Sequence, residues 1–142
     1  MWKIAIAQNL EEKLKAISAD NIAFQGELIG EGIQGNYYEM KGHNFLVYDI
    51  YDIAKGEYLS PESRKDICNK YNIEHVPILW DSIGVRTFWM DADELIQEAY
   101  GCSEINKKKK REGLVFKSTS SSQKRISFKV ISNSYLLGTK NV

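Results

Sequence analysis

A chain of 142 residues, 43% apolar and 27% charged, is long enough for one ordinary domain with its own core, and its composition is neither disordered nor collagen-like. No apolar run approaches the roughly 20 residues that span a bilayer; the first residues lack a signal peptide's apolar stretch, and two cysteines make neither a disulfide framework nor a CxxC motif. A reducing, cytoplasmic setting without a membrane is therefore expected. The formal net charge of zero conceals a split, because residues 1–100 carry 9 Lys+Arg against 17 Asp+Glu while residues 101–142 carry 10 against 2. Either an anionic ligand is drawn to the C-terminal third, or the two parts of the chain attract one another.

In chain order, WKIAIA (residues 2–7) suits a helical turn or a short strand. Asn9 with Glu12 three residues on makes a capping-box start, and Leu10, Leu14 and Ile17 give one apolar face to a helix running to Ser18. Residues 21–30 set Ile22 and Phe24 against polar neighbours and predict a strand. Residues 43–53, HNFLVYDIYDI, are rich in aromatic and β-branched side chains and predict the strongest strand, buried on both faces. AKGE (54–57) is a turn, after which Ser60 and Pro61 open a helix to Tyr71. VPILW (76–80) reads as a short strand. Asp91 and Glu94 form a second capping box ahead of Leu95, Ile96 and Ala99, with a stop at Gly101. The basic run KKKKR then leads into the strand EGLVFK (112–117), a Ser/Thr-rich loop (118–122) and the strand RISFKVIS (125–132). His43 and His75 have no ligand-spaced partners, so a turn or core role is expected of each. Cys68 and Cys102 fall in helix-like contexts and are expected to be inert. Helices and strands mix without βαβ alternation, which predicts an α+β fold.

Within GELIGEGIQGN (26–36), Gly30, Gly32 and Gly35 have the G-x-G-x-x-G spacing of a dinucleotide loop. That motif needs its third glycine to open a helix on which a pyrophosphate can sit. The following NYYEMKGHN has no amphipathic helical period, so the context fails. A kinase glycine loop fails too, because the V-A-I-K, HRD and DFG signatures are absent. Two readings stay open: a β-turn with solvated glutamates, or a loop whose Glu27 and Glu31 offer hard oxygens to a ribose hydroxyl or a cation.

Read together, GELIGEGIQGN, FLVYDIYD (45–52), REGLVFK (111–117) and SFKVISNSYLL (127–137) resemble motifs III, IIIa, IV and V of the ATP-dependent RNA ligase family of covalent nucleotidyltransferases. The resemblance covers roughly residues 1–138. It implies a partial nucleotidyltransferase (ATP-grasp-like) domain over residues 1–142, mostly antiparallel sheet with flanking helices, using ATP and Mg2+ or Mn2+. By the same resemblance Glu27 contacts the ribose, Tyr48 stacks on adenine, Glu112 is associated with the divalent cation, and Lys117 and Lys129 neutralise phosphates; the last three are the catalytic residues. Tyr48 as a plain core aromatic remains the other reading. Strand alternation sets Asp49 on the face opposite Tyr48, so the two are not expected to share a wall of the pocket. It also sets Gly113, Val115 and Lys117 on one face, with Leu114 and Phe116 on the other.

Two departures qualify the resemblance. Ser127 stands where part of the family has the first lysine of K-x-K. No lysine of the 142 residues stands in K-x-[DN]-G, the segment whose lysine attacks the α-phosphate of ATP. The expectation is a part of the domain that lacks motif I: a gene fragment, a frameshifted product or one half of a split protein. By itself it would be inactive or would need a complementing N-terminal segment, and it would carry an open sheet edge. RNA or nicked nucleic acid is the expected partner, gripped at the backbone by the run from Lys107 to Arg111, unless that run is only a solvated loop. The alternatives are a non-catalytic nucleotide- or RNA-binding remnant and a dinucleotide-loop protein.

Overall fold

The computed structural model describes residues 2–17, 21–80, 91–119 and 125–138, which fall into two compact units divided between Val76 and Pro77. The first holds α1 (Trp2–Ala7), α2 (Leu10–Ala16), β1 (Ile22–Gly30), a 3-10 turn (Gln34–Asn36), β2 (His43–Asp52), β3 (Glu57–Tyr58) and α3 (Pro61–Lys70). The second holds α4 (Ala92–Ala99), β4 (Gly113–Lys117), β5 (Ser127–Ile131) and α5 (Asn133–Gly138). The fold is α+β with antiparallel sheets flanked by helices. Among the described residues no helix is long and apolar enough to cross a membrane.

The first unit is a three-stranded antiparallel sheet in the order β1-β2-β3. Its buried core is Val47 and Ile50 of β2 with Cys68 and Ile73, bordered by Ile22, Phe24, Phe45 and Ile67. Leu46, Val47, Asp49 and Ile50 are all buried, so the middle of β2 is covered on both faces, as its apolar run implies. α3 begins where Ser60 accepts a hydrogen bond from the Ser63 amide, 3.1 Å, ahead of Pro61 at the first helical position.

Gly26 has no room for a side chain, since a Cβ there would lie 2.7 Å from the Leu46 carbonyl oxygen. Gly30, Gly32 and Gly35 all have positive φ, and Gly35 lies inside the 3-10 turn with no α-helix after it. Residues 31–42 are a connection between antiparallel strands, held in part by His43, whose Nε2 donates to the Glu31 carbonyl at 2.7 Å.

Three local expectations are corrected. Asn9 does not cap α2: it is left-handed (φ 52, ψ 39) and makes no capping hydrogen bond. Its amide reaches back to Ile6, 3.0 Å, so Asn9 ends α1, a position that tolerates asparagine in this conformation. VPILW is not a strand: the Val47–His75 contact is a single parallel bridge, and Pro77 has no N–H to extend it. Cys102 lies outside any helix, exposed, in a bridge with Lys110.

In the second unit Asp91 and Glu94 form the reciprocal capping box that starts α4. The chain then folds back on itself, with Arg111 N donating to the Gly101 carbonyl, 2.9 Å, and Ser103 N to Lys109, 2.8 Å. The β4–β5 hairpin follows, Leu114 opposite Val130 and Phe116 opposite Phe128. The two phenyl rings stack at 5.1 Å. The Ser/Thr-rich stretch lies partly outside the described residues.

Candidate nucleotide site

Strand pairing determines which side chains face the same way, since directly opposed residues of an antiparallel ladder share a face. Ile22 to Gln25 of β1 pair with Asp52 to Asp49 of β2, and Gly26 to Gly30 pair with Val47 to His43. The register shifts between Gln25 and Gly26, so Tyr48 has no partner on β1 and is the extra residue of a β-bulge.

The bulge overturns the expectation that Tyr48 and Asp49 cannot share a wall. Gln25 and Glu27, two residues apart, lie on one face of β1, and their partners Asp49 and Leu46 must lie there too. Leu46 and Asp49 are three residues apart and could not share a face in a regular strand. Alternation running from Leu46 brings Tyr48 to that face, and the bulge then brings Asp49 to it as well. Tyr48 is 39% exposed and Glu27 is exposed, while Asp49 is 8% exposed. The opposite face, with Phe24, Phe45, Val47 and Ile50, meets the core. Tyr48 is therefore not a buried core aromatic.

In the second unit, Glu112 stands immediately before β4 and its carboxylate pairs with Lys129 of β5. Both side chains are partly exposed. Glu112 is further anchored by its carbonyl, which accepts from Ser132 N at 2.8 Å. Gly113 lets the strands meet here, because a Cβ on it would collide with the Val130 carbonyl oxygen. Val115 opposes Lys129 and Lys117 opposes Ser127, so Lys117 and Lys129 are diagonal neighbours on one face. The expected alternation of β4 holds: Leu114 is buried and Val115 is 56% exposed. Among the described residues no three His, Cys, Asp or Glu side chains gather into a metal cluster. Glu112 is thus a lone carboxylate, a donor set that suits a hydrated cation sharing phosphate oxygens rather than an all-protein cage.

The basic run is only partly available to a ligand. Lys107 pairs with Glu104. Arg111 donates from Nε to Ala99 O, 3.1 Å, and from Nη2 to Tyr100 O, 2.6 Å, and to Glu98 O. Its guanidinium closes the C-terminal end of α4, where unpaired carbonyls favour a cation. The positive φ of Gly101 and its lack of a Cβ leave room for that side chain.

Two residues of consequence escape motif reading. Arg111 is hidden in a run of like charges. Arg64 carries a legible signal, since it lies three and four residues before Ile67 and Cys68 and so falls on the apolar face of α3, where a charge is out of place. It is 5% exposed.

Comparison with known proteins agrees with this architecture. The RNA ligase family matches residues 1–131. Solved structures of an RNA ligase from Naegleria gruberi superimpose over 99% of the chain: one with PPi at 41% identity and TM-score 0.87, one variant with AMP and Mn at 40% and 0.86, and another with ATP and Mn at 40% and 0.87. The chain spans 40–41% of the length of those proteins. No curated protein matches it.

Proposed function

From the premise that the chain belongs to the RNA ligase family, we propose that it supplies the ribose-, base- and phosphate-binding parts of an ATP-dependent RNA ligase, which seals RNA ends by nucleotidyl transfer through a lysyl-adenylate. The observation that carries the reading is the 40–41% identity, over 99% of the chain, to a ligase solved with ATP, AMP, PPi and Mn.

Glu27 accepts hydrogen bonds from the ribose hydroxyls, as a carboxylate does well. Tyr48 stacks on adenine from the exposed bulge of β2. Lys117 and Lys129 hold phosphate oxygens and offset the charge that grows on the transferred group. Glu112 would hold Mg2+ or Mn2+, whose chemistry is to neutralise phosphate charge and orient the phosphates. Nucleotide binding exchanges the Lys129–Glu112 ion pair for two others, lysine with phosphate and carboxylate with cation. RNA is the acceptor, with residues 107–110 near its backbone.

A second reading, a nucleotide- or RNA-binding protein without turnover, is favoured by the lack of a K-x-[DN]-G lysine among the 142 residues. One experiment separates the two. The 142-residue chain is incubated with ATP labelled at the α-phosphate and Mn2+, with and without a polypeptide carrying K-x-[DN]-G from a related ligase. Acid-stable AMP on that polypeptide, dependent on the chain, is the expected result. ATP binding by calorimetry without any covalent AMP in either mixture would favour the second reading, and no ATP binding at all would refute both.

A further inference from the structure

A bulge is an unpaired residue in a ladder, and something must hold it against the regular alternative. In the first unit the holding group comes from α3. Arg64 donates from Nη1 to the carbonyl of Val47, 3.2 Å, at a site 5% exposed, and its Nε finds no acceptor among the described residues. Burial pushes the guanidinium below its ordinary range, while the Cys68 thiol and the Asp49 carboxylate act the other way. Burial likewise pushes the Cys68 thiol up, which leaves Asp49 as the anionic counter-charge. A buried cation is costly unless it is paired, and so is a buried carboxylate. Arg64 thus holds β2 at Val47 by a hydrogen bond and at Asp49 by charge, and the single residue between those points is Tyr48.

We propose that Arg64 is a positioning residue for nucleotide recognition, clamping β2 on both sides of the bulge so that Tyr48 stays on the face of Glu27. This rests on the reading of Tyr48 as the adenine contact. The regular ladder that competes with the bulge would put either Asp49 on the core face or Tyr48 off the site face. Arg64 disfavours it because its counter-charge must stay where the guanidinium can reach. The role also accounts for a buried cation with one unsatisfied donor, a poor choice for packing alone.

The test is a double-mutant cycle read by calorimetric titration of ATP with Mn2+ into the 142-residue chain, using Tyr48→Ala, Arg64→Met and both together. Arg64→Met is expected to weaken ATP binding about tenfold when Tyr48 is present, comparable to losing one base–aromatic stack, and less than twofold in the Tyr48→Ala background. Equal losses in both backgrounds would mean a general structural defect and overturn the proposal. If Tyr48→Ala leaves ATP binding unchanged, the adenine reading fails by itself. The clamp is then decided by the cross-strand NMR contacts Gln25–Asp49 and Gly26–Val47: their loss in Arg64→Met sustains it and their persistence overturns it. Should Arg64→Met not fold, Arg64→Lys keeps the charge and stem but not the planar fork. A smaller loss that again vanishes in the Tyr48→Ala background is expected, and an additive loss would overturn the clamp.

Discussion

Lys129 and Glu112 neutralise one another at the mouth of the β4–β5 hairpin, so an anion that uses Lys129 must first displace a carboxylate. The pair is partly exposed, and exposed pairs contribute at most about 1 kcal/mol. Glu112→Gln is therefore expected to raise the affinity for metal-free PPi about two- to fivefold, and Lys129→Ala to lower it. With Mn2+ present the order inverts for Glu112→Gln, which loses the metal's contribution. Calorimetry with PPi, with and without Mn2+, checks both signs, and an unchanged metal-free affinity in Glu112→Gln would show that the pair does not compete with the ligand. At this scale the motif letters Glu27, Tyr48, Glu112, Lys117 and Lys129 were legible in the sequence. What Arg64 and Arg111 do was not, because each acts on backbone carbonyls supplied by distant or refolded segments.

Elements were legible where the signal is local chemistry. Ser60 with Pro61 and Asp91 with Glu94 start α3 and α4 through hydrogen bonds that span three residues. Asn9 carried the same letters and misled, because left-handed asparagine also closes a preceding helix, and α1 ends there. The strand VPILW failed for want of a partner, which no window of five residues can reveal. Close strand approach leaves a sharper signature, since glycine replaces a side chain where backbones nearly touch. Gly113→Ala is expected to cost about 1–3 kcal/mol by forcing β4 off β5, the range for overpacking. Urea unfolding followed by tryptophan-independent far-UV signal reads this directly; an unchanged midpoint would mean that the hairpin shifts without penalty.

At the scale of the whole molecule, the excess of positive charge after residue 100 exceeds what a ligand can use, because Lys107 and Lys129 already face Glu104 and Glu112 and Arg111 is committed to α4. Replacing Lys107, Lys108, Lys109 and Lys110 with Ser should flatten the log–log salt dependence of single-stranded RNA binding by about 2, as for three phosphate contacts at roughly 0.7 each, rather than four or five. An unchanged slope would assign the run to a solvated loop. The family was legible from the order of four short segments along the chain, whereas the arrangement of the site face was not, because it depends on one unpaired residue. That residue behaves as a parity bit. Loops between Glu27 and Tyr48 can lengthen or shorten without effect on the ladder, but deleting a single residue from Val47, Tyr48 or Asp49 would restore a regular hairpin and exchange inside for outside along the rest of β2. A relative could then align with this chain letter for letter apart from one gap, fold at least as stably, and be blind to the nucleotide.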